Sequence, residues 1–215
     1  MVEIYESEQE QIDALKTWWS ENAVSVIAGI VIGVGGLVGW QGWQNYNQGR
    51  QEAASSQYMQ IMESVNESLF DAVPAIADGI VTQYDETHYA SLAQLAAARA
   101  NVEAGDSDAA ATRLQWVVDN ASTDSFTLIA RLRLAGLQLS NGDAAQAKST
   151  LEARFPESFG ARLNELLGDI AIAENDLTTA RIAYDKALKA QPASTNQQVL
   201  QMKRDDLGNV DLLDS

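Results

Sequence analysis

Residues 167–192 read LGDIAIAENDLTTARIAYDKALKAQP. Ala, Leu, Ile, Glu and Lys dominate on both sides of Asn175-Asp176, and nothing alternates with the period of two that a strand would show. The stretch reads as two helices joined by a tight turn. Gly168 and Ala180 are small where the two helices would cross, and Tyr184 would fill the space beside them. Ala187 continues the same face, and Pro192 would stop the second helix because it cannot donate the next backbone hydrogen bond.

The layout recurs upstream. Turns with an Asn or Gly before Asp occur at Gly105-Asp106, Asn141-Gly142-Asp143 and Asn175-Asp176, so the aspartates are 37 and 33 residues apart. A period in the mid-thirties with two helices per unit is the signature of tetratricopeptide repeats. The second unit keeps Leu134, Ala135, Ala147 and Leu151 at the equivalent spacings, and the first keeps Ala98, Ala110 and Leu114. Asn164 and Ala171 stand where the repeat usually carries large residues. A generic bundle of helical hairpins competes with this reading, but the shared turn and small-residue positions favour a degenerate repeat array. Val199, Leu200 and Met202 at helical spacing predict a last helix that caps the array, since a terminal repeat has an uncovered apolar face. The run Asp205–Asn209 lacks the alternating ligands and closing glutamate of a calcium loop and reads as a frayed acidic end.

Towards the N-terminus, the sequence predicts a short helix over Ala72 to Tyr84, with Pro74 in its first turn. A further helix, continuing or restarting from a preceding segment, covers Arg50 to about Leu69. Before it stands AVSVIAGIVIGVGGLVGW, residues 23–40, and no charged residue occurs between Glu21 and Arg50. Eighteen residues of helix rise about 27 Å, close to the roughly 30 Å of a bilayer core. Trp18 and Trp19 precede the run and Trp40 and Trp43 follow it, as interfacial indoles would. We expect a transmembrane helix over 22–46. A cleaved signal peptide fits poorly, because Glu3, Glu6, Glu8, Glu10, Asp13 and Glu21 face Lys16 alone in the leading segment. Gly29/Gly33 and Gly35/Gly39 are G-x-x-x-G pairs that let a second helix approach closely in lipid.

Flanking charge barely orients the span, with Lys16 on one side and Arg50 on the other. The absence of Lys and Arg from 51–98 favours export of the C-terminal part. The expected organisation is an acidic cytoplasmic segment, 1–21, the membrane helix, and a periplasmic domain, 47–215. The chain is long enough beyond the span for one domain with its own core.

The whole chain carries −16. Such a surface repels phosphate backbones and argues against nucleic-acid binding. The absence of cysteine removes disulfides, zinc–thiolate sites and thiol catalysis. His88 is the sole histidine and reads as a turn or cap residue, with no His base expected near a nucleophilic Ser. No catalytic, metal or cofactor site is expected, although a carboxylate-based hydrolase stays open from sequence. Trp116 reads as a core residue. Repeat arrays line their concave face with the first helix of each hairpin. That places Leu92, Leu95, Arg99 and Val102 of the first unit, and Arg162, Glu165 and Asp169 of the third, in a groove suited to peptide segments.

Taken end to end, the chain resembles a known family. The residues that carry the likeness are Val2-Glu3-Ile4-Tyr5-Glu6, Trp18-Trp19-Ser20-Glu21-Asn22, the anchor ending Val34-Gly35-Gly36-Leu37-Val38-Gly39-Trp40, the repeats, and Leu200-Gln201-Met202-Lys203. It is similar to the YfgM-type ancillary subunits of the bacterial SecYEG translocon. That resemblance implies a single-pass inner-membrane scaffold with no enzymatic activity and no cofactor. Its implied partners are SecYEG, the periplasmic chaperone PpiD and exported client proteins. A membrane-tethered scaffold for division or wall synthesis is the nearest rival.

Overall fold

The computed structural model describes residues 3–190 and 195–208, and among them the regular structure is helical throughout. The chain divides into two compact units, Met1–Arg50 and Gln51–Ser215. Helix α1 runs unbroken from Glu3 to Asn66, so the helix expected near Arg50 continues and does not restart. There follow α2 (Val73–Tyr84), α3 (His88–Glu103), α4 (Ser107–Asn120), α5 (Asp124–Ser140), α6 (Ala144–Thr150), α7 (Gly160–Ala173), α8 (Leu177–Ala190) and α9 (Thr195–Asp205).

In the first unit, polar side chains near the apolar stretch satisfy themselves on their own helix. Thr17 Oγ1 donates to the Asp13 carbonyl and Asn22 Nδ2 to the Trp18 carbonyl. The apolar side chains are exposed, Val24 at 83% and Trp40 at 61%. This surface is costly in water and favourable in hydrocarbon.

The second unit is a one-dimensional array. Ile61, Val73 and Ile80, with Ala90, Ala93, Ala97 and Ala100 of α3, form one cluster. Leu95, Leu114 and Leu134 anchor the next, across α3, α4 and α5. Leu132, Ala147, Leu166 and Ile170 form the third, and Ala171, Ala180, Tyr184 and Leu200 the last. Each cluster joins neighbouring hairpins only, as stacked repeats require. Trp116 is half-buried between the first two clusters, in the core role expected of it.

The three aspartate turns share one geometry. The N–H groups of Asp106, Asp143 and Asp176 reach back to the carbonyls of Asn101, Gln138 and Ala171 at 2.8–2.9 Å. Gly105, Gly142 and Asn175 supply the positive φ this closure needs, at 78°, 88° and 59°. The same aspartates then cap the following helix, accepting from the N–H groups of Ala109, Gln146 and Thr179 at 2.9–3.0 Å. One residue therefore ends a helix and starts the next, which explains why Asn/Gly-Asp marks every hairpin.

The second hairpin departs from the expected symmetry, because α6 has only 7 residues. Arg131 Nη1 caps the Thr150 carbonyl at 3.2 Å, and Thr150 Oγ1 donates to Gln138 Oε1 at 2.7 Å. Leu151 stays buried just past the helix end. Phe155 and Phe159, with ring centroids 6.3 Å apart, then pack on the third cluster where a longer helix would have lain. Pro156 disfavours helix at Phe155, so the chain beyond α6 does not resume a helix before it. The stop expected at Pro192 lies outside the described residues. The capping helix α9 seats Leu200, 2% exposed, in the last cluster, while Val199 and Met202 face outward.

Candidate partner-binding groove

Helices α3 and α5 and the start of α7, the first helices of the three hairpins, line a cavity of about 420 Å³ together with Leu114 of α4. Leu95, Ala98, Val102, Leu114, Leu132 and Leu137 give it an apolar lining. Arg99, Arg133 and Arg162 supply its charge, and no acidic residue lines it. Arg99 lies 3.8 Å from Glu103, an exposed pair of little energetic weight. Arg162 donates to Glu165 Oε2 at 2.8 Å. Arg133 is solvent-accessible yet crowded, and desolvation, with Arg99's charge added, holds its pKa below the usual arginine value. Burial raises the Tyr58 phenol, and Arg133 partly offsets that.

Of the residues expected here, Leu95, Arg99, Val102 and Arg162 meet in this cavity. Leu92 is half-buried and lies outside its lining. Glu165 and Asp169 are engaged by the capping helix. Lys203 Nζ donates to Glu165 Oε1 at 3.0 Å and to both Asp169 oxygens at 2.9 Å. The Tyr184 hydroxyl also donates to Asp169, at 2.7 Å. Burial alone would raise Glu165, but its bonds to Arg162 and Lys203 prevail and hold it below the ordinary value. Burial would lower Lys203, yet its bonds to Asp169 and Glu165 raise it. The middle of the groove, Leu132, Arg133, Gly136 and Leu137, comes from α5 and was not anticipated. The signal was present, since the rule of first helices applies equally to the second unit. On α1, a Cβ built at Gly29, Gly33, Gly35 or Gly39 meets nothing within 4 Å, so these positions leave open surface.

Two further polar clusters hold elements together. Arg113, with a side chain 16% exposed, donates to Asp78 Oδ1 (2.7 Å), Gln94 Oε1 (2.9 Å) and Asn101 Oδ1 (2.9 Å), tying α2 and α3 to α4. His88 Nδ1 lies 2.7 Å from Ser122 Oγ, a pairing across 34 residues that the sequence does not point to. Sequence distance hid it; the turn between α4 and α5 brings Ser122 back to the start of α3. The pair is exposed, and no carboxylate among the described residues hydrogen-bonds His88 as a triad would require. Phe126 packs beside the imidazole at 6.3 Å, so the pair pins a loop. Among the described residues, no group of three or more His, Cys, Asp or Glu side chains could hold a metal ion.

The sequence over residues 16–209 matches the family model of the tetratricopeptide repeat-like domain. The ancillary SecYEG translocon subunit of Haemophilus influenzae is 33% identical over 200 residues, 93% of this chain and 97% of the relative. This chain belongs to the ancillary SecYEG translocon subunit family. The Escherichia coli K12 member is 30% identical over 206 residues, 96% of this chain and 99% of that protein. The Aggregatibacter actinomycetemcomitans member is 28% identical over 200 residues, covering 93% and 97%. No solved structure matches. The family likeness runs through the apolar helix as well as the repeats.

Proposed function

We propose that this chain is a non-enzymatic scaffold anchored in the bacterial inner membrane and associated with the SecYEG translocon. The observation that carries this reading is the end-to-end likeness to ancillary translocon subunits. The exposed apolar helix and the concave groove agree with it. Residues 22–46 span the membrane, 1–21 lie in the cytoplasm, and 47–215 form the periplasmic domain. The lack of Lys and Arg over 51–98 supports that orientation. The anchor engages the translocon through Gly29, Gly33, Gly35 and Gly39, where a neighbouring helix could approach closely. The groove engages a periplasmic chaperone of the PpiD type or exported clients, which links export to folding.

Replacing 22–46 with an unrelated membrane helix tests this division of labour. Translocon subunits should be lost from native-membrane pull-downs while the periplasmic partner is retained. Retention of the translocon by the swapped chain would refute the anchor's role. Topology is read separately. A reporter active only in the periplasm, fused after Ser215, should be active, and activity of a cytoplasm-only reporter there would reverse the orientation.

A further inference from the structure

The domain from Arg50 onward has 13 basic and 24 acidic residues, yet the groove lining holds three arginines and no acid. That contrast is local and concerns the concave surface that repeat arrays use for recognition. The three arginines come from three successive hairpins, so no single helix explains the cluster. We propose that the groove binds a partner segment that is acidic and aliphatic, with carboxylates paired to Arg99, Arg133 and Arg162 and Leu- or Val-type side chains seated on the apolar floor. The inference rests on the scaffold reading above and names the chemistry of the segment that the groove takes.

Arginine is suited to this task because its planar fork can hold a carboxylate by two parallel hydrogen bonds. Arg133 forms no ion pair among the described residues, and its neighbour Arg99 opposes its charge. An arriving carboxylate would relieve that opposition. Arg99 holds an exposed partner, Glu103, at 3.8 Å on its own helix, which a bound segment can replace at little cost, while Arg162, itself exposed, keeps Glu165 at 2.8 Å and offers its remaining N–H donors. The acidic remainder of the domain repels an acidic segment elsewhere on the surface, so the groove is also where its encounter is least opposed. A basic aliphatic segment would gain the same floor and lose the arginines. Charge therefore sets specificity, while the floor supplies area.

The test uses the full chain in detergent and fluorescent peptides about twelve residues long. One alternates Leu with Glu, a second Leu with Lys, and a third Ser with Glu. The Leu/Glu peptide should bind tightest, with affinity falling several-fold between low salt and about 0.3 M. Arg99→Gln should weaken it about threefold, and Arg99→Gln with Arg133→Gln about tenfold. Far-UV circular dichroism of each variant checks that the fold is kept, and the salt titration needs no variant. Leu/Lys binding equal to or better than Leu/Glu would overturn the charge assignment while leaving a scaffold with another partner. Leu/Glu affinity unmoved by salt and by both substitutions would place the site elsewhere and overturn it too. Absence of binding by every peptide would also overturn it, and translocon pull-down would then judge the scaffold reading independently. Binding that emerges only after deletion of residues 209–215, NVDLLDS, would identify this chain's own segment as the occupant and overturn the assignment to a partner.

Discussion

Gly168→Ala is the sharpest probe of the repeat packing. In an ordinary helix interior, alanine is favoured over glycine by about 1 kcal/mol. At Gly168 an added Cβ would lie 2.5 Å from Tyr184 Cδ1 and closer still to Cε1. Relaxed carbon contacts are about 3.5–4.0 Å, so one group must move by about an ångström. The ring is the wrong group to move: Tyr184 is 3% exposed and its hydroxyl is held by Asp169 at 2.7 Å. Overpacking of this kind costs about 1–3 kcal/mol. Set against the propensity gain, the net loss is about 0–2 kcal/mol. Gly136→Ala is the matched control, since its Cβ meets nothing within 4 Å in the middle of α5. It should stabilise by about 0.5–1 kcal/mol. Denaturant unfolding of residues 51–215, whose core clusters lie entirely within that fragment, gives both values. If Gly168→Ala stabilises as much as Gly136→Ala, the close crossing of α7 and α8 at this position is wrong.

The same contacts set further outcomes. Asp143→Ala removes the cap on Gln146 and should cost about 1 kcal/mol, read by thermal unfolding; an unchanged midpoint would contradict the capping role. Lys203→Met leaves Glu165 with Arg162 and Asp169 with Tyr184, and should cost about 1 kcal/mol, a modest figure because Lys203 is one-third exposed. Proteolysis that first releases the residues after Ala190 would report the same loosening. For pH, the Arg113 hydrogen bond holds Asp78 below its ordinary 3.8 despite opposing burial. A carboxylate lowered in the fold contributes its stability above the unfolded value, and that contribution disappears as pH falls through the folded one. Stability should therefore drop below about pH 3.8, and Asp78→Asn should flatten part of that acid limb in denaturant titrations. An identical limb in the variant would remove Asp78 from the account.

The hairpin register was legible because one residue does two jobs. Asp106, Asp143 and Asp176 close one helix and cap the next, and that double duty needs a fixed local sequence. Gly168 and Tyr184 were legible for a similar reason, since a ring against a backbone leaves no substitute for glycine. The short α6 was hidden. Its end depends on Arg131 and Gln138 reaching Thr150 from another helix, which no local pattern encodes. The groove was half visible. Arg99 and Arg162 lie on first helices chosen by rule, but Glu165 and Asp169 are claimed by Lys203 from a helix 34–38 residues away. His88 and Ser122 met for the same kind of reason: tertiary contact, not spacing, joined them.

The proposed contact between the anchor and the translocon is open to direct test. A photo-crosslinking residue placed at Gly33 or Gly39 in the full chain, activated in native membranes, tests it most directly. Subunits of SecYEG should dominate the crosslinked products from the anchor. Products dominated by wall-synthesis or division proteins, with no translocon subunit, would contradict it.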